Sequence, residues 1–152
     1  MKEVIDSSIL VRYSLFDGFE QEQLDSVLPL MEFETFEAGT DIIVEGERAD
    51  KLRFILEGRA AVLKGGIILM ELDEGSVFGE IEVVDFLPAE ATVKTLATTK
   101  TMSLSLDALG EIYATDLKTY SFIIMNLARD LSRRLRRMDS KTVKDSPAMD
   151  WN

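Results

Sequence analysis

Residues 60–72 read AAVLKGGIILMEL. Two apolar runs flank a Gly65-Gly66 pair, and a two-residue type I′ turn needs positive φ at both central positions, which glycine supplies without steric penalty. The stretch predicts a β-hairpin. The same texture extends outward over 32–105, where strand-length runs at 33–36, 42–44, 52–56, 60–63, 67–72 and 92–97 are punctuated by Gly39, Gly46, Gly58, Gly75 and Gly79. About eight short strands at this spacing predict a mainly β domain, an antiparallel β-roll or jelly roll (double-stranded β-helix). Strands do not alternate with long helices, which disfavours a parallel α/β sheet.

Helical patterns flank this region. Residues 1–31 read as a helical entry, with Ile9, Leu10, Tyr13 and Leu15, a break at 16–19 (FDGF), then Leu24, Val27, Leu28 and Met31 on one face and Pro29 near the stop. After Leu106 helix returns, with Asp116 as N-cap and a pattern that runs to Met138. Leu117, Ile124, Leu131 and Met138 recur every seven residues, with Ala128 and Leu135 beside them. That seam suits a parallel two-stranded coiled coil; the other arrangement packs it on the β domain. The expected organisation is an entry at 1–31, a β domain at 32–106, helices carrying a dimer seam at 107–138, and a disordered tail at 139–152. The homodimer contact is expected at 116–138.

The chain has 152 residues, 46% hydrophobic and 30% charged, which suffices for one domain with its own core. It has no cysteine and no histidine. That excludes thiol chemistry, Ser-His-Asp catalysis, structural zinc and His-ligated iron. Net charge is −11: residues 1–128 carry 24 acids and 10 bases, and 129–152 carry 7 bases and 4 acids. So acidic a body repels phosphate backbones, and no direct DNA binding is expected. Arg129, Arg133, Arg134, Arg136, Arg137, Lys141 and Lys144 read as cations suited to a helix C-terminus. There is no apolar run long enough for a membrane span and no signal-peptide core in MKEVIDSS, so a cytoplasmic protein without membrane contact is expected. Asp73-Glu74 and the Glu45/Glu47 pair read as solvated turn acids rather than a cation site.

Three segments carry a family resemblance: FEAGTDIIVEGERADKLRFILEGRAAVL (36–63), ELDEGSVFGEIEVV (71–84) and LPAEATV (87–93). Their order and glycine spacing resemble the cyclic nucleotide-binding domain, a β-roll with a short helical entry and a long closing helix, over roughly 14–138. In that family the glutamate of FGE holds the ribose 2′-hydroxyl, backbone N–H groups of the following short helix meet the cyclic phosphate, and an arginine after a proline neutralises it. The resemblance implies ligand positions at Phe78, Gly79, Glu80, Ile81, Glu82, Ala89, Glu90 and Thr92, with cAMP or cGMP as ligand. Three positions depart from the pattern. Ala89 stands where the arginine belongs, Glu90 stands at the usually small next position, and Glu82 replaces a usually small alanine. Losing one partner of a buried charge pair costs about 2–5 kcal/mol, so weak or absent binding of either nucleotide is expected, more so if Glu82 and Glu90 point inward.

The function expected is therefore that of a non-catalytic regulatory or sensor protein that works through a homodimer and an unidentified effector protein. A working nucleotide domain that relies on backbone amides and Glu80 is one alternative. A dimeric interaction module without a small ligand is another. Against the reading of Glu80 as a hydroxyl acceptor stands a structural one, a carboxylate that bonds cassette backbone or a neighbouring side chain. A cupin-type enzyme shares the β-roll shape, but its metal site uses histidine, which is missing. No helix-turn-helix follows the long helix, so a protein without a DNA-binding domain is expected.

Overall fold

Eight strands are found among residues 10–145, which the computed structural model describes. They are β1 (Glu32–Phe36), β2 (Asp41–Ile43), β3 (Lys51–Glu57), β4 (Ala60–Lys64), β5 (Ile67–Leu72), β6 (Val77–Phe78), β7 (Thr92–Thr95) and β8 (Thr99–Ser105). The hairpin read first from the sequence joins β4 to β5, and its glycines have φ of +56° and +79°. All pairings are antiparallel, in two four-stranded sheets of order β1-β8-β3-β6 and β2-β7-β4-β5. This is the β-roll that the glycine spacing predicted.

Among the described residues, four α-helices flank the roll: α1 (Gln21–Val27), α2 (Glu80–Asp85), α3 (Leu106–Thr115) and α4 (Leu117–Asp145). A small apolar cluster takes Ile55 and Phe78 from one sheet and Ile43, Ala60, Leu72 and Val93 from the other. A larger cluster joins Leu52, Phe54, Met102 and Leu104 of the first sheet to Leu24, Val27, Leu109, Ile112, Ile123 and Leu127 of the helices. Burying this apolar surface is the main favourable term holding helices to roll.

The helical entry is more broken than its pattern suggested. Ser14–Phe16 is a 3₁₀ turn, α1 follows, and Leu28–Leu30 is a second 3₁₀ turn containing Pro29. Phe16 and Phe19 are buried and meet edge to face at 5.4 Å, so FDGF folds inward instead of continuing a helix. Ile9 lies outside the described residues.

Asp116 caps α4 as its sequence position foretold. Its carboxylate accepts hydrogen bonds from the Thr119 hydroxyl at 2.6 Å and the Thr119 N–H at 3.1 Å, and these bonds hold it below the ordinary carboxylate range. Asp116→Ala is expected to cost about 1 kcal/mol in urea denaturation. Because the folded-state pKa is depressed, this contribution is present above the unfolded pKa and is lost as pH falls through the folded one, so the two curves converge in acid.

The core face of α4 is Thr119, Ile123, Asn126 and Leu127. Asn126 Nδ2 donates to the carbonyls of Leu15 at 2.8 Å and Asp17 at 3.0 Å, tying α4 to the entry. The helix continues through Asp145, so backbone at 139–145 is helical where a disordered tail was expected, because no breaker interrupts MDSKTVKD. Residues 146–152 lie outside the described residues.

Candidate functional site

The segment between β6 and β7 gathers most positions singled out from the sequence. Phe78 ends β6 and is buried, and Gly79 is the N-cap of α2. Glu80 opens α2, and its side chain is buried although it is a carboxylate, with 1% exposure. A buried carboxylate needs a countercharge and donors, and here α4 supplies both. The Arg134 guanidinium donates to Glu80 Oε1 and to the Val77 carbonyl oxygen. Asp130, one turn earlier on α4, lies 3.2 Å from Arg134. Burial pushes the Glu80 carboxyl above its ordinary range; Arg134 opposes that shift, while the charges of Asp130 and Glu82 add to it.

Ala89 occupies the arginine position as a 3% exposed member of the small apolar cluster. Its backbone is fixed to the β2–β3 loop: Ala89 N–H donates to the Glu47 carbonyl at 2.9 Å, and its own carbonyl accepts from Gly46 N–H at 2.8 Å. Thr92 Oγ1 accepts from Glu45 N–H at 3.0 Å. Glu82 is half-buried, whereas Glu90 and Ile81 are exposed. Of the two added acids, only Glu82 therefore bears on the cassette interior. Lys94, the nearest base along the chain, faces Asp41 at 3.7 Å.

The cassette thus places Phe78 and Ala89 in one apolar cluster and Gly79 and Glu80 at the start of α2, leaves Ile81 and Glu90 exposed, and recruits Arg134 to Glu80, which sequence reading did not assign to it. At its outer edge Val84, Phe86 and Leu87 are exposed, and Phe86 has φ of +60°. Elsewhere, an open groove of about 590 Å³ is lined by Glu22, Ser26, Leu30, Glu111 and Lys118 among others, all outside the cassette. Among the described residues no three acidic side chains are grouped to hold a metal ion, and no helix is long and apolar enough to cross a membrane.

Comparison with known proteins bears on this arrangement. The family model described as "Cyclic nucleotide-binding domain" matches residues 33–116. A cAMP-dependent protein kinase regulatory subunit from Yarrowia lipolytica is 30% identical over 113 residues, covering 66% of this chain and 30% of the relative. The human potassium/sodium hyperpolarization-activated cyclic nucleotide-gated channel 2 is 34% identical over 98 residues, covering 64% of this chain and 11% of the channel. The chain thus spans a third or less of either relative. A crystal structure of a cyclic nucleotide-binding domain from Methylobacillus flagellatus superposes with a TM-score of 0.82 at 23% identity, covering 94% of this chain and 83% of that one. That last likeness shows a shared fold.

Proposed function

This chain belongs to the cyclic nucleotide-binding domain family, and from that membership we propose that it is a non-catalytic regulatory domain whose cassette takes cAMP or cGMP weakly or not at all. The observation that carries this reading is Ala89. At the position where the family places its phosphate-binding arginine there is a buried methyl group, packed into an apolar cluster and pinned by two backbone hydrogen bonds. A cyclic phosphate entering there would lose hydration and find no guanidinium from that position. Glu82 adds a half-buried negative charge nearby, and Glu80, the family's hydroxyl acceptor, is already engaged by Arg134. Regulation then passes through protein contacts, for which the outward face of α4 is the proposed homodimer surface.

Calorimetric titration tests the reading. A micromolar binder corresponds to about 8 kcal/mol, and removal of a buried charge partner takes away about 2–5 kcal/mol of that. Wild-type protein is therefore expected to bind cAMP and cGMP with dissociation constants in the high micromolar range or weaker. Tight wild-type binding of either nucleotide would overturn the proposal and assign phosphate recognition to backbone amides. Ala89→Arg, alone and together with Glu82→Ala and Glu90→Ala, is titrated alongside, with circular dichroism to confirm folding. Binding by the triple variant and not by wild type marks a sound pocket lacking its countercharge. A folded triple variant that still binds neither nucleotide marks an interaction module.

A further inference from the structure

Beyond Leu127 no residue of α4 through position 140 is buried, yet this half of the helix lies against the cassette. The polar contact there is the guanidinium of Arg134, half-buried like Asp130 and Leu131 and shared between the Glu80 carboxylate, the Val77 carbonyl and Asp130. Glu80 is 1% exposed, so its charge is almost wholly desolvated and depends on its partner. From this geometry we infer that Arg134 is a built-in occupant of the cassette, holding the outer half of α4 on the roll without any ligand.

The inference rests on the reading of the cassette proposed above, because only in a domain of this family is the Glu80 carboxylate the place of a ligand hydroxyl. The guanidinium takes one of the two Glu80 carboxylate oxygens, Oε1, and so anchors α4 at the acceptor before any ligand hydroxyl arrives. Asp130 favours the latched state by orienting the guanidinium from one turn away, where an (i, i+4) pair brings the two side chains together. The position of α4 is thereby set within the chain, and its outward face is presented without a nucleotide.

Hydrogen–deuterium exchange without nucleotide tests this on the full chain. Arg134→Ala leaves a buried carboxylate unpaired and is expected to speed exchange across 128–138 by roughly tenfold or more, while β3 and β8 keep wild-type protection. Arg134→Lys is expected to fall between, since an ammonium is a point charge and does not fork across a carboxylate and a carbonyl. Arg133→Ala, on the exposed face of the same turn, is expected to match wild type. Wild-type exchange over 128–138 in Arg134→Ala would overturn the inference, and so would equal loosening in Arg133→Ala. If Arg134→Ala also loses protection in β3 and β8, Glu80→Gln decides: it keeps the shape and removes the charge, loosened 128–138 supports the latch, and unchanged exchange refutes it. Because no nucleotide is added, these outcomes are independent of the calorimetry, which alone decides whether the cassette binds one.

Discussion

Gly79→Ala is expected to destabilise the domain by about 3 kcal/mol or more, a large part of the 5–15 kcal/mol typical of native proteins. Gly79 sits at φ +83°, and a Cβ built there would lie 2.4 Å from the carbonyl oxygen of Lys51. The left-handed conformation alone costs a side-chain-bearing residue roughly 1–2 kcal/mol. The remainder comes from displacing backbone of β3, which cannot swing aside as a flexible side-chain end would; forced repacking of this sort costs about 1–3 kcal/mol. In a domain of this size the melting temperature should drop by roughly 6–12 °C. Gly110→Ala is the control. Gly110 lies inside α3, no atom lies within 4 Å of its added Cβ, and alanine is the better helix former there by up to about 1 kcal/mol. Thermal melts should therefore move in opposite directions. A Gly79→Ala protein as stable as wild type would mean that the β3–β6 corner can open, and the rigid placement of Glu80 at the start of α2 would fail with it.

That corner shows which parts of the molecule were legible in the sequence. The hairpin, four further strands and the N-cap of α4 follow from local rules, since each needs only turn residues or a side chain three positions from its partner. β8 was harder. It is the inner strand between β1 and β3, yet its sequence TKTMSLS has apolar residues at just Met102 and Leu104. Thr101 and Ser103 on its other face are also buried, and Ser103 donates to Glu34 at 3.3 Å, so hydrophobic alternation understates the strand. β6, two residues long, is too short to show any period. Within the site, FGE located Gly79 and Glu80, but Arg134 is 54 positions from Glu80 and was grouped with cations of a helix end. One signal did set it apart. Arg129, Arg133, Arg136 and Arg137 follow i, i+4, i+7, i+8 spacing on one helical face, while Arg134 falls off that face with Asp130 one turn before it. Only the fold says which carboxylate it meets. Likewise, residue type alone gave Glu82 and Glu90 equal weight, and burial separates them.

Ile124→Asp is expected to convert a wild-type homodimer into monomers. Leu117, Ile124, Leu135 and Met138 are 58%, 38%, 60% and 67% exposed, and with half-buried Leu131 they lie apart from the face that packs on the roll. Such a stripe over three heptads has the spacing of a two-stranded seam, and we propose that a second copy of α4 covers it in parallel. Aspartate at position 124 would place two carboxylates opposite each other in a dry interface. Each unpaired charge costs several kcal/mol, against about 8 kcal/mol for a micromolar dimer. The isolated domain should tolerate the change because position 124 faces solvent, whereas Ile123→Asp, at 1% exposure, should unfold it. Light scattering at tens of micromolar reads the first effect and circular dichroism the second. A wild-type protein that is monomeric at that concentration refutes the dimer.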